Sequence, residues 1–110
     1  MTTAELVDCN SLLPGARIEV ETRNRRYQIA CLGGNTIRIS GHPQYCPTPV
    51  RGHLEGSSDK EGVLEPGLIG RGMHLRLLLE DRLPVTTSRV LRVRLDRTGE
   101  VSPKAPSTIQ

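Results

Sequence analysis

Hydrophobic and polar side chains alternate along most of the middle of this chain. From Ala16 to Thr22, Ala16, Ile18 and Val20 fall on one side and Arg17, Glu19 and Glu21 on the other. Period two with one polar face is the pattern of a half-buried strand. The stretch Arg26 to Leu32 repeats it, with Tyr27, Ile29 and Cys31 inward and Arg26 and Gln28 outward. Thr36 to Ser40 repeats it again, with Ile37 and Ile39 inward and Arg38 outward. Arg23-Asn24-Arg25 and Gly33-Gly34-Asn35 separate the three segments. The second connection is a hairpin signal, because Gly and Asn reach positive φ at little cost. Together these segments predict an antiparallel meander.

Gly41 to Pro49 breaks the pattern, since Pro43, Pro47 and Pro49 cannot sit in a central strand. Alternation resumes over Val50 to Gly56, with Val50 and Leu54 inward and Arg51, His53 and Glu55 outward; Ser57 to Gly62 reads as a polar loop. Val63 to Gly72 carries Pro66-Gly67 and Gly70-Arg71-Gly72, which predicts short extended pieces separated by bends. Met73 to Glu80 puts Met73, Leu75, Leu77 and Leu79 on one face, while Leu78 interrupts the other. Asp81 to Pro84 turns the chain. Val85 to Asp96 is the last strand, with Leu91, Val93 and Leu95 inward, Arg92 and Arg94 outward, and a bulge expected near Ser88. Helical periodicity is missing from every segment. The prediction is an all-β fold, a small antiparallel β-barrel or barrel-like sandwich of about six strands. Residues 1–14 read as an N-terminal arm or short helical turn, 15–96 as the β-barrel domain, and 97–110 as a disordered tail poor in apolar residues.

Gly56-Ser57, Pro66-Gly67-Leu68-Ile69, Gly72-Met73-His74-Leu75 and Thr87-Ser88-Arg89-Val90 together resemble small bacterial β-barrel proteins of no assigned activity. The resemblance spans the second half of the chain. It implies a barrel and no particular chemistry.

Composition narrows the picture further. Trp and Phe are absent, so the core must be aliphatic, with Tyr27 and Tyr45 its only aromatic candidates. The formal charge is +3, and only Lys60 and Lys104 are lysines among the 15 basic residues. Arginine favours bidentate anionic partners, although a bias in codon usage yields the same composition. Cys9, Cys31 and Cys46 are an odd number of thiols, and neither a secretory signal nor an apolar run of membrane-spanning length is present. Those features predict a cytoplasmic protein with reduced thiols and no membrane partner.

Candidate chemistry is sparse. His42, Cys46 and His53 are the only local grouping of metal-ligand types, and His42-x₃-Cys46 is its one close pair. Zinc needs four converging ligands, and Cys31 is predicted inward while His53 is predicted outward. A buried thiol with exposed imidazoles is therefore the first reading, and a metal- or thiol-dependent enzyme using His42 and Cys46 a distant one. Catalytic residues, metal ligands and cofactors are assigned to none. Gly67-x-x-Gly70-x-Gly72 precedes a strand, unlike a phosphate loop, which opens a helix. Arg23, Arg25 and Arg26 do not match the R-x-x-x-R spacing of cyclic-dinucleotide-binding PilZ barrels, and Asn35 stands too far from Ser40 for their second element.

Two binding surfaces follow. The Pro-rich loop Gly41 to Pro49, with His42 and Tyr45, predicts a non-catalytic binding or regulatory module with a protein partner. Leu78 and Leu83 are the candidates for a homodimer contact. Outward Arg26, Arg38, Arg51, Arg76, Arg92 and Arg94 are the alternative, a nucleic-acid-binding face, provided their strands are neighbours. The competing reading pairs the same arginines with Glu19, Glu21, Glu55 and Glu80 as a solvated face of cross-strand ion pairs.

Overall fold

The computed structural model describes residues 1–80 and 83–101. Its strands are β1 (Thr2–Ala4), β2 (Leu6–Asp8), β3 (Arg17–Thr22), β4 (Arg26–Gly33), β5 (Thr36–Ser40), β6 (Val50–Ser58), β7 (Leu64–Pro66), β8 (Leu68–Gly70), β9 (His74–Leu79) and β10 (Leu83–Asp96). A 3₁₀ turn, Cys9–Ser11, follows β2. The predicted all-β architecture is the one observed. Six antiparallel strands close a barrel-like ring in the order β10-β3-β4-β5-β6-β9, with β9 returning to β10.

Closure depends on the two longest strands. β10 gives its first half to β9 and its second to β3, with β1 flanking that second half. β6 pairs with β5 through His53 and then with β9 and β7 through Ser58. A strand serving two neighbours in succession must bend, and bulges supply the bend. Register shifts occur at Leu54/Gly56 in β6 and at Thr86/Arg89 and Val90/Arg92 in β10. Gly56 takes φ +146° at the first, where a Cβ would run into the Glu65 carbonyl.

The interior is aliphatic, as composition required. Ile18, Ile29, Ile37, Ile39, Leu54, Ile69, Leu75 and Leu77 are fully buried. Burial this complete contributes roughly 1.5–3 kcal/mol per side chain. The N-terminal arm is part of this core. β2 pairs with β8 as a two-stranded ribbon, and Val7, Cys9 and Leu12 are buried with Ile69. Of the stretch read as a disordered tail, residues 97–101 are described, and they fold back on the arm. Val101 N–H donates to the Pro14 carbonyl at 2.7 Å, and the Glu100 carboxylate accepts Leu13 N–H at 2.7 Å. Residues 102–110 of that expectation lie outside the described residues, as do Asp81 and Arg82 of the predicted turn.

Two local expectations are corrected. Ser57 and Ser58 are not loop residues: β6 continues through them and both are buried. The Ser57 hydroxyl donates to the Leu68 carbonyl at 2.7 Å and accepts Gly70 N–H at 3.3 Å, so it fastens β8 to the ring. Leu91, predicted inward, is exposed, while Val90 is buried. The shift between Val90 and Arg92 inserts one residue into the alternation and turns Leu91 out. The expected bulge near Ser88 is present as a second, separate shift.

Candidate anion-binding surface

Strand order sorts the arginines. β3 lies between β10 and β4, and its outward side chains include Glu19 and Glu21. Arg26 on β4 reaches both carboxylates at 4.0 Å, Arg94 on β10 reaches Glu19 at 3.3 Å, and Arg92 reaches Glu21 at 3.8 Å. Gln28 also donates to Glu19 at 2.9 Å. That amide, ahead of the two guanidiniums, holds the Glu19 carboxyl below its ordinary range. Arg26 and Arg92 thus belong to an ion-paired face, the competing reading of the sequence. Arg76, on β9 opposite Gly56 and Thr86, stands apart from the other candidates.

Arg38 and Arg51 are different. They are direct cross-strand partners on β5 and β6. Among the described residues neither takes part in an ion pair. The same lateral row continues from Arg38 to Ala30 on β4 and from Ala30 to Arg17 on β3. Ala30 is small, so a depression of about 360 Å³ opens there, lined by Arg17, Gln28, Ile29, Ala30, Arg38, Ser40 and Pro49. Neighbouring strands lie about 4.8 Å apart, so Arg17 to Arg51 covers roughly 14 Å across three spacings. Carboxylates flank the row at its two ends. Asp96 is the register partner of Arg17, and Glu80 shares a shallow depression with Arg51.

Ser40 and Pro49 lead from this row into the Gly41 to Pro49 loop. Gly41 takes φ +126° there, with the Arg26 carbonyl and the Tyr27 Cα where a Cβ would stand. Gly41 N–H donates to the Cys46 carbonyl at 2.9 Å, and Cys46 N–H to the His42 carbonyl at 3.0 Å. The Nδ1 of His42 accepts N–H from Gln44 and Tyr45 at 3.1 and 3.2 Å. An accepting Nδ1 needs a neutral ring with its proton on Nε2. Burial, then the nearby Arg25 charge, lowers the His42 pKa in agreement. The imidazole stacks on Tyr45 with centroids 4.5 Å apart, and Tyr45 is exposed.

The thiols gather differently from the sequence grouping. Cys46 is buried beneath the loop, His53 is exposed, and no three metal-ligand side chains converge among the described residues. Cys31 instead meets Cys9, with Sγ atoms 3.7 Å apart in the core. The hydrogen bond with Cys9 and burial push the Cys31 thiol far up, and the same hydrogen bond lowers Cys9. Leu83 is exposed and Leu78 half-buried beside Pro84. Sequence reasoning missed Arg17 and Ala30, whose roles arise only when β3, β4 and β5 are laid side by side. No protein-family model, curated protein or solved structure matches the chain.

Proposed function

We propose that this protein is a binding module with no chemistry of its own, which holds single-stranded nucleic acid by its phosphates across β3, β4, β5 and β6. One observation carries the reading: Arg38 and Arg51 face each other in register with no ion-pair partner among the described residues, while Glu19 and Glu21 are matched by Arg26, Arg92 and Arg94. Like charges directly opposite on a sheet cost about 0.2–1 kcal/mol. A bound phosphate relieves that cost and is held by two forks at once. The depression over Ala30 gives a third contact, through Arg17, and Tyr45 on its His42 support offers one stacking surface nearby.

Fluorescence anisotropy with a labelled oligonucleotide of about 12 nucleotides, over a series of salt concentrations, tests this. Three phosphate contacts on a single strand predict a log–log salt slope near −2. The combined R38Q and R51Q variant should weaken binding and flatten that slope by more than one unit. Absence of binding near 50 mM salt, or binding indifferent to the double variant, overturns the reading. A protein partner at the Gly41 to Pro49 loop is the second reading, favoured by the exposed, braced Tyr45. It predicts an interaction insensitive to salt and abolished by Tyr45→Ala.

A further inference from the structure

Strict alternation along β10 would place Arg89 and Leu91 on one side and Ser88, Val90 and Arg92 on the other. The two register shifts break that rule, and Ser88, Arg89, Leu91 and Arg92 are all exposed around a buried Val90. The distorted segment is firmly pinned. Thr87 Oγ1 accepts Leu75 N–H at 3.0 Å, in place of a backbone carbonyl, and donates to the Ser88 carbonyl at 2.8 Å. Val90 N–H donates to Met73 at 2.8 Å, and the Val90 carbonyl accepts Gly72 N–H at 2.7 Å. A bulge so fixed re-aims side chains and holds them there.

Arg23, in the β3–β4 connection, overhangs this segment. A cleft of about 600 Å³ results, lined by Arg23, His74, Ser88, Arg89 and Leu91. Its lining contains no carboxylate, and neither arginine is in an ion pair among the described residues. His74 Nδ1 lies 3.0 Å from the Thr87 carbonyl. A carbonyl only accepts, so Nδ1 carries the proton and Nε2 is left for another partner. Leu91, half exposed, adds an apolar surface beside these polar groups.

We infer that this cleft is a separate binding site for a phosphomonoester attached to an apolar or aromatic body, the chemistry of a mononucleotide. Two guanidiniums grip a phosphate bidentately, the Ser88 hydroxyl donates to it, and Nε2 of His74, with its lone pair free, accepts from a hydroxyl or amino group of the attached body. Leu91 and the arginine stems carry the apolar part. The volume falls within the range of small-molecule sites. On β3 the carboxylates Glu19 and Glu21 stand between this cleft and Arg17, so the two cationic sites are not one patch.

A ¹H–¹⁵N NMR titration with a nucleoside 5′-monophosphate, the matching nucleoside and inorganic phosphate tests the assignment. The monophosphate should shift the Ser88 to Leu91, His74 and Arg23 amides saturably, inorganic phosphate should do so more weakly, and the nucleoside should not. Arg89→Gln, an exposed change whose spectrum reports its fold, should weaken the monophosphate at least tenfold. Leu91→Ser should retain phosphate binding and lose the preference for the nucleotide. The R38Q and R51Q variant should leave these titrations unchanged, which separates this site from the oligonucleotide row. Silence of these amides up to about 10 mM, or shifts indifferent to Arg89→Gln, overturns the inference.

Discussion

The Cys9–Cys31 contact allows a quantitative test of how the N-terminal arm is attached to the ring. Cys31 is fixed in the middle of β4, while Cys9 sits in a three-residue turn whose first bond is Asp8 Oδ1 accepting Asn10 N–H at 3.0 Å. The sulfurs are 3.7 Å apart. A disulfide needs about 2.05 Å, so the short turn must approach the strand. Oxidised glutathione supplies the chemistry. The Cys9 thiolate attacks one of its sulfurs and releases one reduced glutathione, then Cys31 loses its proton, attacks Cys9 Sγ and releases the second. The crosslink closes a loop between residues separated by 22 positions, which raises stability by about 3 kcal/mol on loop-entropy grounds. For a domain of this size that is a gain on the order of 10–20 °C in Tm. The measurement is Tm by circular dichroism, oxidised against reduced, in a Cys46→Ser background that leaves one possible pair. Oxidation should be slow in buffer and accelerate in mild urea, because both sulfurs are buried. An oxidised, mass-verified monomer with unchanged or lower Tm would refute the reasoning, since strain in moving the turn would then equal the entropic gain.

Further outcomes follow from other contacts. Arg51→Glu converts the repulsion with Arg38 into an attraction, so it should raise stability by about 1 kcal/mol, read as a higher urea midpoint, while abolishing oligonucleotide binding. Glu19 is held below its ordinary value of 4.5 by Gln28 and the flanking arginines. Its contribution is therefore present above that value and lost as pH falls through the lower folded value; Tm measured from about pH 6 to about pH 3 should fall more steeply for the native chain than for Glu19→Gln. His42 is depressed below 6.5, so the turn it braces is intact above that value and loosens as pH falls through the folded one. The Tyr45 ring signals in NMR should report that change, and they should stay unchanged in His42→Asn. Gly41→Ala places a methyl group against the Arg26 carbonyl at a positive φ, and should cost more than about 1 kcal/mol by chemical denaturation.

Much of the ring was legible because its segments have one wet face. Ile18, Ile29, Ile37 and Leu77 could be assigned inward from alternation alone, since a slip of one residue would expose the whole set. Legibility failed where one side chain replaces a backbone partner. Ser57 reads as a loop residue until its hydroxyl is seen bonded to Leu68 and Gly70. Leu91 reads as core until Thr87 and Val90 take up the bonds that displace it. The pairing of the arm was illegible for a different reason: β2 is three residues long, and its partner β8 lies about 60 positions away. Local pattern carries no record of such a pairing.

The binding surface was the least legible part, and topology explains why. Thirteen arginines spread along the chain look equivalent in sequence, and outward alternation selects Arg26, Arg38, Arg51, Arg76, Arg92 and Arg94 without ranking them. The ranking is made by one neighbour. Because β3 carries Glu19 and Glu21 and is inserted between β10 and β4, each of Arg26, Arg92 and Arg94 has a carboxylate partner on that side of the ring. β5 and β6 expose Arg38 and Arg51 as partners with no acidic strand between them. Had β3 paired with β5 instead, the same composition would give a neutral face there and free arginines on β10. The charge pattern capable of taking a phosphate chain is thus a property of strand order, and a variant that swaps Glu21 with Arg38 would keep composition, fold and net charge while removing the site.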